Sequence, residues 1–167
     1  MGRVLPIIIV LSLILCGCGG NKQQTAAVPG YTCEAVIEYE KDFSAVAQIK
    51  VLGGGIFEAE IVSPTQLSGL KFSADRENIT VSLKGVETPC QPKESYGGFA
   101  DIMAAAFLKL SAGSPTLTKQ KELVYEGTTK GVFFKFVLNE EGLPLSLNVP
   151  EKKLKVEFSK WQYQGKN

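Results

Sequence analysis

The 167-residue sequence contains no histidine. That removes imidazole general acid–base catalysis, Ser-His-Asp and Cys-His nucleophile pairs, and imidazole metal ligation. A Lys- or carboxylate-assisted nucleophile needs no histidine, but no motif marks one. An excess charge of one sign is also missing, with 18 basic against 17 acidic residues. A balanced chain gives no electrostatic footprint for nucleic acid, so none is expected as a partner. No apolar run reaches the roughly 20 residues that a membrane-spanning helix needs. No internal repeat of solenoid length is present. Cysteine is sparse, at Cys16, Cys18, Cys33 and Cys90, and there is a single tryptophan. The reading is of a non-enzyme with no cofactor and no metal site.

What is present begins at the N-terminus. Arg3 precedes a run of apolar residues, Val4–Leu15, that is too short to span a bilayer and has the length of a signal-peptide hydrophobic region. The run ends in Leu15-Cys16-Gly17-Cys18, which resembles the lipobox of bacterial lipoproteins: Leu at −3, a small residue at −1, then the acceptor cysteine. Cys16 as acceptor would place the bulky Leu15 at −1. The resemblance implies lipidation of Cys18 and removal of residues 1–17. One acyl chain holds a protein only marginally, at ~0.8 kcal/mol per buried methylene, whereas two or three anchor it stably. The implied location is the bacterial cell envelope, on the extracytoplasmic face, with the membrane as a partner through Cys18. Myristoylation is not expected, because Pro6 stands where that pattern needs Ser or Thr. Gly19 follows the acceptor, compatible with an outer membrane or with the single membrane of a Gram-positive cell.

Residues 18–30 are polar and small and end in Pro29-Gly30, a short tether. Residues 31–167 are one domain's worth, with enough chain for a sizeable core. In an exported chain the even pair Cys33 and Cys90 suggests a disulfide. The alternative is two buried free thiols acting as small hydrophobes.

Strict alternation dominates the first half of the domain. Tyr31, Cys33, Ala35, Ile37 and Tyr39 share one face, with Thr32, Glu34, Glu38 and Glu40 on the other. Further alternating segments are Phe43–Leu52, Ile56–Val62, Leu67–Ala74 and Ile79–Leu83, separated by Lys41-Asp42, Gly53–Gly55, Ser63-Pro64 and Asp75–Asn78. This predicts a five-stranded antiparallel meander. The period then changes: Phe99, Ile102, Met103, Ala106, Phe107 and Leu110 predict an amphipathic helix within Ser95–Leu110, ended by Gly113 and Pro115. Strands resume at Glu122–Glu126, Val132–Leu138, Leu143–Val149 and Leu154–Trp161. In the third of these, Leu143, Leu145, Leu147 and Val149 are expected on one face.

The predicted class is mainly β (α+β): a curved antiparallel sheet forming an incomplete β-barrel, with one helix covering the concave face. A sheet of nine strands tends to curl, and one helix cannot cover all of its apolar face. The remainder must meet solvent, a partner or an apolar ligand. The order of elements, the meander with Phe57–Ile61, Ser63-Pro64 and Leu67–Leu70, and the late pair joined by Asn139–Pro144, resemble the LolA/LolB lipoprotein-carrier superfamily. That resemblance implies a half-barrel that binds acyl chains of lipoproteins in an apolar cavity.

The candidate cavity residues are Ile37, Tyr39, Phe57, Ile61 and Phe72 from the meander. Phe99, Met103 and Phe107 come from the helix, and Phe134 and Phe136 from the later strands. The same residues would serve equally as ordinary core. The chain is expected to be a monomer whose ligand is an acyl chain or a lipoprotein. The alternative is an envelope interaction or structural module with a filled core. Glu38, Glu40, Glu58 and Glu60 read as the solvent face of the sheet, opposite lysines such as Lys50, before they read as a carboxylate cluster. Gly53–Gly55 lacks the Lys-Ser/Thr of a phosphate loop. Trp161 reads as an anchor packed at the end of a strand.

Overall fold

The structure, a computed structural model, describes residues 30–52, 56–75, 78–90, 98–113, 116–117, 123–129 and 131–163. The expected signal segment, Cys18, the expected tether up to residue 29 and the expected turn at Gly53–Gly55 lie outside them. The alternating segments form strands β1 (Tyr31–Tyr39), β2 (Phe43–Leu52), β3 (Ile56–Ser63), β4 (Leu70–Ala74), β5 (Ile79–Leu83) and β6 (Val86–Cys90). Helix α1 spans Phe99–Ala112. After it come β7 (Thr116–Leu117), β8 (Leu123–Thr129), β9 (Val132–Leu138), β10 (Pro144–Val149) and β11 (Leu154–Tyr163).

All eleven strands join one antiparallel sheet in the order β6-β5-β4-β3-β2-β1-β11-β10-β9-β8-β7. The first strand pairs with the last, Ile37 opposite Val156, so two meanders fuse at β1 and β11. The helix connects the two free edges of the sheet and packs against β3, β4 and β8. It thereby closes a half-barrel whose concave face carries the core. Alternation sets that face: Tyr31, Cys33, Ala35 and Ile37 are buried along β1, as are Ala45, Ala47, Ile49 and Val51 along β2. From α1, Ile102, Met103, Ala106 and Phe107 are buried against it. Each large apolar side chain taken out of water contributes roughly 1.5–3 kcal/mol.

Local chemistry fixes the turns. The Asn139 side-chain oxygen accepts from the amides of Glu141 at 3.0 Å and Leu143 at 2.8 Å. Gly142 supplies the positive φ of 82° that this turn requires. Asp75 accepts from the Asn78 amide at 2.7 Å and so pins the β4–β5 turn. The helix ends where the Gly113 amide donates to Leu110 O at 3.2 Å, and any Cβ at Gly113 would strike the ring of Tyr125. Gly127 faces Phe134 across β8 and β9; a Cβ there would come within 2.9 Å of the Phe134 ring.

Four expectations change. Among the described residues the sheet has eleven strands, because β6 and the two-residue β7 extend its edges. The stretch from Leu67 is not all strand: a 3-10 turn covers Thr65–Leu67 and β4 starts at Leu70. Leu145 does not share the buried face of Leu143, Leu147 and Val149. A register shift between Pro144 and Ser146 inserts it as an extra residue and leaves it 44% exposed.

The fourth change concerns the expected Cys33–Cys90 bridge. Cys33 is a free, buried thiol. It sits on central β1, whereas Cys90 ends edge strand β6, five strand positions away. Four strands lie between the two in the sheet order, whereas a disulfide spans only ~4.4–6.8 Å between Cα atoms.

A second irregularity shapes the β1–β11 seam. The register slips between Thr32 and Glu34, where Lys160 adopts a positive φ of 55°. The extra residue sends the Lys160 ammonium outward to the Glu34 carboxylate at 2.9 Å. It turns Trp161 onto Tyr31, edge-on with ring centroids 5.1 Å apart. Trp161 is thus a packed anchor.

Candidate ligand-binding site

The ten aromatic and aliphatic residues expected to line a cavity all lie on the concave side, in two environments. Ile37, Phe57, Ile61, Met103, Phe107, Phe134 and Phe136 are buried within the packed core. Phe107 is the hub, with ring centroids 5.3 Å from Phe57, 5.2 Å from Phe136 and 5.6 Å from Phe158. Around this hub the helix sits directly on side chains.

Tyr39, Phe72 and Phe99 are instead half-buried and pack against the edge of the core. Phe99, at the start of α1, stacks on Phe43 at 5.1 Å, meets Phe72 edge-on at 5.4 Å and lies 6.1 Å from Tyr39. From Phe72 the apolar face runs on across β5 and β6. Directly opposed residues of an antiparallel pair share a face, and here Leu70 opposes Leu83, Phe72 opposes Val81, and Leu83 opposes Val86. The helix packs on β4, and the strands beyond it emerge from its cover. Leu70, Phe72, Ile79 and Val81 are half-exposed, Leu83 is 42% exposed and Val86 71%. This wing of the sheet is an apolar surface continuous with the core and open to an occupant.

Apart from Phe72, the wing's residues are absent from the expected site. Alternation shows which side chains share a face, but not where the helix stops covering it. Only Phe72 carried a signal strong enough to be named, as an aromatic in a strand pattern.

Catalytic chemistry finds little footing among the described residues. No group of three or more His, Cys, Asp or Glu is placed to hold a metal. The strand carboxylates face solvent and pair across strands, Glu58 with Lys50 at 3.7 Å and Glu60 with Lys71 at 3.1 Å. Burial pushes the Cys33 thiol up to about 12, the opposite of what a nucleophile needs. Burial also drives the Tyr31 phenol well above its ordinary range, with the neighbouring Cys33 adding to the shift.

At the end of the half-barrel where Tyr39 lies, the β1–β2 and β10–β11 turns sit side by side. Between them is a groove of about 450 Å³ lined by Tyr39, Glu40, Lys41, Asp42, Glu151, Lys152 and Lys153. Glu40 and Lys153 both adopt left-handed backbone, with φ of 56° and 48°. The Glu40 amide donates to Lys153 O at 3.1 Å, tying one turn to the other.

No family model and no curated protein matches the sequence. Among solved structures the chain is similar to a LolA superfamily protein from Nitrosomonas europaea, at 11% identity and a TM-score of 0.48 over 83% of this chain and 88% of that one. It is similar to an uncharacterized conserved protein from Thermus thermophilus, at 12% identity and a TM-score of 0.46 over 86% and 83%. A third is the lipoprotein LppX of Mycobacterium tuberculosis, at 11% identity and a TM-score of 0.38 over 81% and 88%.

Proposed function

We propose that the protein is a lipid-anchored binding protein of the bacterial envelope, which holds an acyl chain or similar apolar group on the open part of its half-barrel. The observation that carries this reading is the apolar wing of β4–β6, half-exposed and continuous with the core through Phe72 and Phe99. Binding buries apolar area at roughly 25 cal/mol per Å² and needs no covalent chemistry. The helix start at Phe99 borders the wing, so small movements of that end would widen or narrow the site. The lipobox-like Leu15–Cys18 supports a position at the membrane, anchored through Cys18 on the extracytoplasmic face.

The test is binding of a fluorescent fatty acid. Saturable binding that falls at least tenfold in Phe72→Glu, with the fold intact by circular dichroism, supports the reading; no saturable binding to the wild type refutes it. A second reading, a non-catalytic interaction module with a filled core, draws on the tight packing around Phe107, Phe134 and Phe136. It predicts that the same probe does not bind.

A further inference from the structure

The charged groove between the two turns has no part in holding an apolar chain, yet it adjoins the wing. Tyr39 belongs to both: it lines the groove and its ring lies beside Phe99, which in turn meets Phe72. Lys50, Lys71, Lys135, Lys155 and Lys160 each sit within 4 Å of a glutamate. Among the described residues, Glu40, Lys41, Asp42, Lys152 and Lys153 make no such ion pair. Glu151 accepts one long bond, from the Phe133 amide at 3.4 Å.

Three carboxylates and three ammoniums thus line one groove with no ion pair within 4 Å among them. The left-handed Glu40 and Lys153 hold its two walls together through their backbone bond. Non-glycine residues in this conformation cost free energy and persist where the surroundings impose them.

We infer that the ligand is a single amphiphile with a zwitterionic headgroup, a phosphate beside an ammonium. The headgroup sits in this groove while the acyl chain passes Tyr39 and Phe99 onto the β4–β6 wing. The lysines Lys41, Lys152 and Lys153 face the phosphate, and Glu40, Asp42 and Glu151 face the ammonium. Net neutrality of the groove selects against an anionic headgroup, whose unbalanced charge would meet the carboxylates. This inference deepens the apolar-ligand reading and rests on it.

The experiment is photocrosslinking of the full-length protein in vesicles of equal phosphatidylethanolamine and phosphatidylglycerol. A trace of either lipid carries a diazirine on its acyl chain, and crosslinked peptides are mapped by mass spectrometry. The expected result is at least fivefold more labelling of the 70–74 and 79–83 peptides from the zwitterionic probe than from the anionic one. Asp42→Lys combined with Glu151→Lys should reverse that preference, and Lys41→Glu combined with Lys152→Glu should lower labelling by the zwitterionic probe at least fivefold. These positions are on surface turns, and a circular dichroism melt checks each fold. Equal labelling of the wing by both probes, unmoved by either pair of changes, overturns the headgroup site and leaves the apolar-ligand reading standing. Labelling of the wing no greater than that of the convex-face peptides overturns both.

Discussion

Replacing Phe107 with alanine tests how the two halves of the concave face differ. The Phe107 ring is buried and touches the rings of Phe57, Phe136 and Phe158. Truncating a buried phenylalanine costs about 3–5 kcal/mol, from lost transfer free energy and the cavity left behind. The three ring contacts favour the upper half of that range, because well-oriented aromatic pairs add about 0.5–1.5 kcal/mol each. A domain of this size has about 5–15 kcal/mol to lose. With a urea dependence of about 2 kcal/mol per molar, a loss of about 4 kcal/mol lowers the unfolding midpoint by ~2 M at unchanged slope. Phe99→Ala is the control. Its ring is half-buried at the rim, so the expected loss is only about 1–2 kcal/mol, while ligand binding falls more than in Phe107→Ala. Equilibrium urea unfolding followed by circular dichroism measures both. A Phe107→Ala cost below about 1 kcal/mol would refute the packed hub and imply that the helix rests over empty space.

Other expectations follow from single sites. Gly127→Ala forces a methyl group against the ring of Phe134, which is fully buried; overpacking of this kind costs about 1–3 kcal/mol, and thermal unfolding would show it as a lowered midpoint. Cys33 is 1% exposed, so mapped alkylation at pH 8.5 should leave it unmodified until the protein unfolds. The same burial predicts alkaline sensitivity. The folded thiol keeps its proton up to about 12 while the unfolded one loses it near 9.0. The folded state therefore binds more protons in that window, and stability falls as pH rises from about 9 towards 12. Urea midpoints measured across this range should decline, and Cys33→Ala should flatten part of the decline. Metabolic labelling with palmitate should mark the wild type and not Cys18→Ala.

Much of the fold was written in alternation. The sequence of β1, with Tyr31, Cys33, Ala35 and Ile37 facing one way, needs only a half-buried sheet to make sense of it. The change to helical spacing at Phe99–Leu110 located the lid. What escaped did so for local reasons. β6 reads Val-Glu-Thr-Pro-Cys, and its Pro89 is tolerated because the strand lies at the sheet edge, where one row of amides needs no partner. β8 runs to Thr129, beyond the expected Glu126, since Gly127 breaks the apolar pattern and the Phe134 ring fills the space above it. The bulges at Leu145 and Lys160 each insert one residue, and a one-residue shift turns every later side chain to the other face. Alternation cannot anticipate an insertion of that kind.

The site was less legible than the fold. Aromatic residues on the concave face were identifiable, but a residue's face does not say whether the helix lies over it. Phe107 and Phe72 look alike in sequence, and only the path of α1 across β3, β4 and β8 separates core from wing. The groove was invisible for a different reason. Glu40–Asp42 and Glu151–Lys153 are charged turns, which usually mark solvated surface. Their meeting depends on the pairing of β1 with β11, a contact between the two ends of the domain.

Native mass spectrometry of the protein, purified gently from cells, tests the central claim most directly. The account predicts a co-purifying lipid, noncovalently bound at one per chain, that is lost in Phe72→Glu while the fold persists. A protein that emerges without lipid, and stays so when offered fatty acids and phospholipids, would contradict it and leave the half-barrel as a scaffold with a filled core.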